Sequence, residues 1–132
     1  MNTFPLTVVT PDGIIFEGEA ESLLLRTTEG DVQIMAGHAD MVAALGTGRA
    51  ALRAGGRTRY AAVSGGFVTV EGGRVTVLPV TVEYGDEIDV SRAEQAKTAA
   101  EQMIREAKDD VSLDRAKAKL ARALARLQVA DM

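Results

Sequence analysis

Apolar residues alternate with polar ones through most of the chain, then recur every three or four positions toward its end. Phe4, Leu6 and Val8 alternate with Pro5 and Thr7, and Phe16, Gly18, Ala20 and Ser22 alternate with Glu17, Glu19 and Glu21. A period of two puts such sets on opposite faces of strands, so the second stretch predicts one small or apolar face and one acidic, solvated face. Pro11-Asp12-Gly13 reads as a turn. Gly55-Gly56 separates residues 51–54 from 57–63, and Gly72-Gly73 separates 67–71 from 74–78. Two-residue loops need positive φ, which glycine adopts without steric cost, so both pairs predict tight hairpins. Beyond residue 77 the apolar parity moves to Leu78, Val80, Val82 and Tyr84, and Pro79 at the shift predicts a bulge or an edge position. Strands with turns about every ten residues predict an antiparallel β-sandwich or flattened barrel.

Near residue 88 the pattern changes. Ala93, Ala96, Ala100, Met103 and Ala107 follow helical spacing, and so do Leu113, Ala116, Leu120, Ala123, Leu124 and Leu127. Asp89 suits an N-cap for the first helix, and Ser112 or Asp110 for the second. The break at residues 108–112 is short, which predicts an antiparallel helical hairpin whose alanines let the axes approach. The expected class is therefore α+β, with a sandwich domain over residues 1–88 and a helical hairpin over 89–132. All thirteen glycines and all three prolines precede Asp86, and all four lysines follow Asp89.

Charge narrows the function. Of 132 residues, 15 are basic and 19 acidic, for a net charge of −4, which counts against a nucleic-acid binder. No run is long and apolar enough to span a bilayer, and MNTFPLTVVT lacks the basic start and apolar core of a signal peptide. The chain has no cysteine and one histidine, which excludes disulfides, thiolate chemistry and any multi-histidine metal site. The acids concentrate early, with six arginines against twelve acids in residues 1–89. Residues 90–132 carry nine bases against seven acids. Between Leu113 and Ala130 the bases Arg115, Lys117, Lys119, Arg122 and Arg126 oppose only Asp114, which is either an ordinary solvated helix face or one that suits an acidic protein groove or a nucleotide phosphate.

Candidate catalytic groups are sparse. His38 and Asp40 would form an acid–base pair only with an oriented nucleophile, and a loop histidine in a turn is the plainer reading. Ser64 in Val63-Ser64-Gly65-Gly66 lacks the glycine two positions earlier that a nucleophile elbow needs, and is expected between strands rather than entering a helix. The paired glycines fall in hairpins, not at a strand-to-helix entry, so no phosphate-binding loop is expected. The sequence supplies no catalytic residues and no metal ligands.

Six stretches in order carry a resemblance: Val8-Val9-Thr10-Pro11-Asp12-Gly13 with Phe16-Glu17-Gly18-Glu19, Glu29-Gly30-Asp31, Gly37-His38-Ala39, Ser64-Gly65-Gly66-Phe67-Val68-Thr69-Val70, Val75-Thr76-Val77-Leu78, and Ile88-Asp89-Val90-Ser91-Arg92-Ala93. Together they resemble the epsilon-subunit family of F-type ATP synthases, from Leu6 to about Leu127. The resemblance implies a non-catalytic rotor subunit at the foot of the central stalk. It would bind the gamma subunit, touch the c-ring, and couple proton-driven rotation to ATP formation in the alpha/beta head. It implies a c-ring contact at Glu29, Gly30 and Asp31 and a gamma contact at Gly37 and His38. It also implies a regulatory hairpin that permits hydrolysis when packed on the sandwich and obstructs rotation when extended. Its nucleotide motif matches Ile88, Asp89, Arg92 and Ala93, with Arg122 and Arg126 assisting, so ATP is the one ligand implied and no other cofactor is.

The implied location is the cytoplasmic side of a bacterial inner membrane, held through partners and not through lipid. Where the family has Gly-Ile-Leu-Pro-Gly-His-Ala-Pro, this chain has Gln33-Ile34-Met35-Ala36-Gly37-His38-Ala39-Asp40, which bears on the loop's backbone and its gamma contact. Helices this short are marginal alone, and anchors such as Met103, Leu120 and Leu124 would each contribute roughly 1.5–3 kcal/mol if fully buried. The docked hairpin is thus expected within a few kcal/mol of an undocked form. The rival readings are a free-standing nucleotide-sensing adaptor and a small hydrolase using His38 and Asp40.

Overall fold

Residues 2–132, described by the computed structural model, form eight strands followed by two helices. The strands are β1 (Phe4–Thr10), β2 (Gly13–Ala20), β3 (Ser22–Thr27), β4 (Gly30–Met35), β5 (Met41–Ala44), β6 (Thr47–Ala54), β7 (Arg57–Glu71) and β8 (Arg74–Tyr84). A 3-10 turn, Gly85–Glu87, leads to α1 (Val90–Glu106) and α2 (Asp110–Ala130). Both glycine-pair hairpins form as expected, with all four glycines at positive φ. The strands run in the order β2-β1-β8-β7-β6-β3-β4, and β5 pairs with the far half of β7. Their ladders are antiparallel except that β1 lies parallel to β8, through Leu6, Thr7 and Val8.

The β7–β8 ribbon belongs to both layers of the sandwich. The first half of β7 pairs with β6, and its second half pairs with β5 on the same edge. Ser64 therefore lies inside one 15-residue strand, not between two strands, and its hydroxyl meets that of Thr47 at 2.9 Å. The ribbon bends at Gly65 and Gly66, with φ of 71° and 89°. Before the bend Ala61 and Val63 face the core; after it Val68 and Val70 do. The inward parity switches there, as a strand turning a sandwich corner requires. On β8, Val75 and Val77 are buried, but Leu78 and Val80 are exposed. The apolar set Leu78, Val80, Val82 and Tyr84 is thus split: only Val82 and Tyr84 pack against the core.

Inward residues from both layers make one core, with Leu6, Leu25, Ile34, Val68, Val75 and Val77 fully buried. A register shift between Val8 and Val9 lets consecutive Ile15 and Phe16 both reach its edge. Glu17 and Glu19 are exposed as expected, but Glu21 is not part of a solvated stripe. Its carboxylate accepts from Arg53 Nε at 3.0 Å and from the Gly56 backbone at 2.8 Å, tying the β2–β3 corner to the β6–β7 hairpin.

Asp89 caps α1, accepting from the Arg92 backbone at 3.1 Å. The cap of α2 is Asp109 rather than Ser112 or Asp110: it accepts from both the backbone and the hydroxyl of Ser112, which holds its carboxyl below the usual range. Ala93, Ala100, Ala116 and Ala123 are buried and pack the helices closely. Met103 and Leu124 are exposed and are not anchors.

The corner predicts a test. A Cβ on Gly66 would overlap the Leu78 carbonyl and lie 2.7 Å from Pro79 Cα. Gly66→Ala should cost about 3 kcal/mol or more, since positive φ and a backbone clash add. Urea unfolding of the two proteins measures this, and a loss below about 1 kcal/mol would contradict the corner's role.

Candidate functional site

The hairpin sits on the sandwich through α2. Ala125 and Val129 of α2 pack with Ala62 of β7 and Ile88 into a small cluster separate from the main core. Val129 is fully buried, and at Gly85 an added Cβ would lie 2.8 Å from the Val129 carbonyl oxygen and 3.1 Å from its Cγ1. Gly85 is thus the point of closest approach of helix to turn. The helix α1 touches the sandwich mainly by way of α2. One ion pair crosses the junction: Arg126 Nε donates to Glu83 Oε1 at 3.0 Å. Both side chains are more than a third exposed, so solvent screens the pair and it contributes less than about 1 kcal/mol.

Beside this ion pair opens a cleft of about 510 Å³, lined by Glu83, Glu87, Asp89, Arg92, Ala93, Ala96 and Arg126. Four residues expected at a nucleotide site, Asp89, Arg92, Ala93 and Arg126, therefore meet here. Two elements supply them, the α1 start and the far turns of α2, while β8 and its following turn add Glu83 and Glu87 to the wall. Arg122 lies outside this cleft. It lines a groove along the helices with Ala96, Met103, Lys119 and Arg126, and a small cavity under α2 with Thr47 and Ser64. Ile88 lies in the docking cluster. Glu83 and Glu87 were not singled out in the sequence, although residues 83–89 carry four acids in seven positions. Arg92 makes no ion pair among the described residues, while Arg126 is shared with Glu83. A guanidinium at the start of α1 and another from α2 can converge on a phosphate from two sides.

The turn at Glu29, Gly30 and Asp31 joins β3 to β4. Asp31 receives Arg26 Nε at 2.8 Å and Arg49 at 3.6 Å. The Arg26 stem lies across Gly48, where an added Cβ would come within 3.0 Å of it. Thr27 Oγ1 donates to the Gly30 carbonyl at 2.7 Å and accepts from the Glu29 backbone. This tip is held in one shape by both its backbone and its charges.

Gly37 and His38 lie in the β4–β5 loop, with Gly37 at φ 82°. His38 Nδ1 donates to the Ala39 carbonyl at 2.8 Å, since a carbonyl only accepts. Asp40 instead accepts from the Gly72 backbone at 3.0 Å. The two side chains thus have different partners and are not assembled as an acid–base pair. The substituted Asp40 pins the loop to the β7–β8 turn. Next to this loop, the outer face of β5, β7 and β8 is uncovered: Val42, Phe67, Leu78 and Val80 are all exposed. Phe67 stands between Ala44 and Leu78 in the ladder. The outer face at Ala62 lies under α2, whereas nothing among the described residues covers the Phe67 face.

Residues 3–85 match the ATP synthase Delta/Epsilon chain beta-sandwich domain, and residues 86–131 match the long alpha-helix domain of the same chain. The ATP synthase epsilon chain of Bacillus mycoides is 42% identical over 132 residues, covering 100% of this chain and 99% of that one. The epsilon chain of Ruminococcus albus is 43% identical, covering 99% and 98%. A chain of the Euglena gracilis mitochondrial ATP synthase OSCP/F1/c-ring assembly superposes with a TM-score of 0.87 at 24% identity, covering 100% of this chain and 83% of that one. A chain of the Tetrahymena thermophila mitochondrial ATP synthase central stalk and c-ring gives 0.65 at 14% identity, covering 96% and 95%. At such identities these two likenesses show the fold.

The close approach at Gly85 yields a prediction about the junction. Gly85→Ala should push the end of α2 off the turn while the sandwich stays folded. Val129→Ala should weaken the seat by about 1–2 kcal/mol, the transfer and packing lost with two buried methyls. Hydrogen exchange should then speed up in both helices and not in β7 or β8. Uniform exchange throughout the chain would show that the junction is not a separate unit.

Proposed function

The chain belongs to the ATP synthase delta/epsilon family, and from that membership we propose that it is a rotor element of the central stalk that couples ring rotation to ATP synthesis in the catalytic head. The observation that carries this reading is the uncovered apolar face at Val42, Phe67, Leu78 and Val80. A contiguous exposed patch of this kind marks a protein interface, and it adjoins the Gly37–His38 loop. We assign this face and that loop to an elongated gamma-type subunit. The tip at Glu29, Gly30 and Asp31, rigid and charged, is assigned to the polar loops of the c-ring. The chain acts as an accessory subunit and carries out no chemistry itself. No helix among the described residues is long and apolar enough to cross a membrane, so its seat at the cytoplasmic side of a bacterial inner membrane comes through these partners.

The same reading makes the hairpin regulatory, with ATP as its ligand. The cleft at Asp89, Arg92, Ala93 and Arg126 takes walls from the sandwich and from both helices, so a nucleotide filling it favours the docked state. Arg122 lines the adjoining groove, which shares Ala96 and Arg126 with the cleft, and is assigned to the triphosphate's far end. In the extended state α2 would leave Ala62 and Gly85 and present its basic face to the alpha/beta head. A match over the whole length of epsilon chains favours a subunit over a free-standing adaptor.

Two measurements test the proposal. Phe67→Asp should leave stability within about 0.5 kcal/mol, because the side chain is exposed, yet weaken association with a gamma-type partner at least about tenfold. Equal affinity for both proteins would remove the interface. Titration with ATP to millimolar concentration should shift the amides of Arg92, Ala93 and Arg126, and Arg92→Ala should suppress those shifts. Unmoved amides would end the nucleotide reading and leave the rotor reading standing.

A further inference from the structure

A second cavity lies at the open end of the sandwich, at the β6–β7 hairpin. It measures about 600 Å³, within the range of small-molecule sites. The inward parity of β7 runs through Val63 and Ala61, both in the core, and continues to Arg59 and Arg57. Two arginines therefore occupy positions where alternation alone would place apolar side chains. They stand at the mouth of the barrel, over a floor of Ile15, Phe16 and Leu52 that packs against the core. A small apolar void of about 40 Å³ lies beneath, sharing Ile15, Leu52, Arg59 and Tyr84 with the mouth.

The two arginines are not equivalent. The Arg59 guanidinium stacks 3.5 Å from the Tyr84 ring centroid and donates to Asp86 at 3.3 Å. It is oriented before any ligand arrives, and one of its faces is already desolvated by the ring. Arg57 is exposed and makes no ion pair among the described residues. One paired arginine and one unpaired arginine leave the mouth with an unmatched positive charge. Both tyrosines of the chain, Tyr60 and Tyr84, also line it.

We propose that this mouth binds an amphipathic organic anion. Its aryl or short alkyl body lies on Ile15, Phe16 and Leu52 beside Tyr84, and its carboxylate, sulfonate or phosphate is received by Arg57 with Arg59. An apolar floor without cations would take a neutral ligand, and cations on a polar floor would take inorganic phosphate. Only an anion with an apolar body uses both. The site is separate from the cleft at Arg92 and Arg126 and shares no lining residue with it.

The probe is 8-anilinonaphthalene-1-sulfonate, an aryl sulfonate that fluoresces when its rings leave water, added to the full chain. We expect saturable binding at one site, with amide shifts confined to Ile15 and Phe16, the stretch from Leu52 to Tyr60, and Tyr84 to Asp86. Arg57→Glu, at an exposed position without an ion pair, should weaken the dye about tenfold, the loss of one charge-assisted contact. Arg59→Lys should weaken it also, because an ammonium cannot stack as the guanidinium does. Inorganic phosphate at the dye's concentration should not displace it. Undiminished affinity in Arg57→Glu would overturn the proposal, as would shifts mapping to Phe67 and Leu78 or ready displacement by inorganic phosphate. Each of these readouts is independent of ATP and of any partner subunit.

Discussion

The bend of the β7–β8 ribbon governs the rest of the molecule. A ribbon that stays in one layer keeps one parity inside; a ribbon that crosses a corner must exchange them. Gly65 and Gly66 make the exchange by taking positive φ, and Gly66 also lets the Leu78 carbonyl and Pro79 come closer than any side chain would permit. Past the corner Phe67 and Leu78 turn outward, on the opposite face from Val68 and Val77. The same bend thus closes the core and creates the apolar outer face. On the other side of the corner, Ala62 faces out and is small enough for α2 to lie against it.

How that helix is seated explains why the hairpin can be a unit of its own. Its contact with the sandwich depends on few and mostly small groups: Ala62, Gly85, Ala125, a partly buried Ile88 and a single well-buried Val129. Burying alanine and glycine contributes little apolar area, while full burial of one valine is worth roughly 1.5–3 kcal/mol. The Glu83–Arg126 pair adds little more because solvent reaches both groups. The helix–helix seam of Ala93, Ala100, Ala116 and Ala123, by contrast, continues along the hairpin. The hairpin is therefore held together along its length and to the sandwich chiefly at one end. That is the arrangement in which two helices leave a surface together rather than unravel upon it.

Most of the fold was legible because its signals are local. The glycine pairs at residues 55–56 and 72–73, the cap at Asp89 and the alanine seam each follow from residues within a few positions of one another. The exposure of Leu78 and Val80 was not legible, because parity says which residues share a face, not which face is inside after a corner. Ser64-Gly65-Gly66 was the available clue, since two consecutive glycines inside a strand pattern point to a bend. Ala125 and Val129 were missed for a related reason. One helical stripe explained the contact with α1, and a second stripe on the same helix had no partner until Ala62 and Gly85 were in place. Asp109 and Asp110 are adjacent acids at the start of one helix, and only the bonds from the Ser112 backbone and hydroxyl distinguish the cap. Of the residues expected at a nucleotide site, Asp89, Arg92, Ala93 and Arg126 line one cleft, while Ile88 lies in the docking cluster and Arg122 in the neighbouring groove.

The weakness of the seat has a consequence for any ligand of the cleft at Arg92 and Arg126. A ligand present at a hundred times its dissociation constant stabilises the state that binds it by about 2.7 kcal/mol. That is the same order as the burial of Val129, so a small molecule could decide whether the hairpin stays. A seat built around two well-buried leucines would instead hold the hairpin by an amount beyond such a ligand's reach. The small residues are then not a deficiency of packing but the condition under which occupancy of the cleft and position of the hairpin can be coupled. Glu83 fits this account. It pairs with Arg126 at little cost because both groups are exposed, and under the proposed nucleotide reading a phosphate with more charge would take its place.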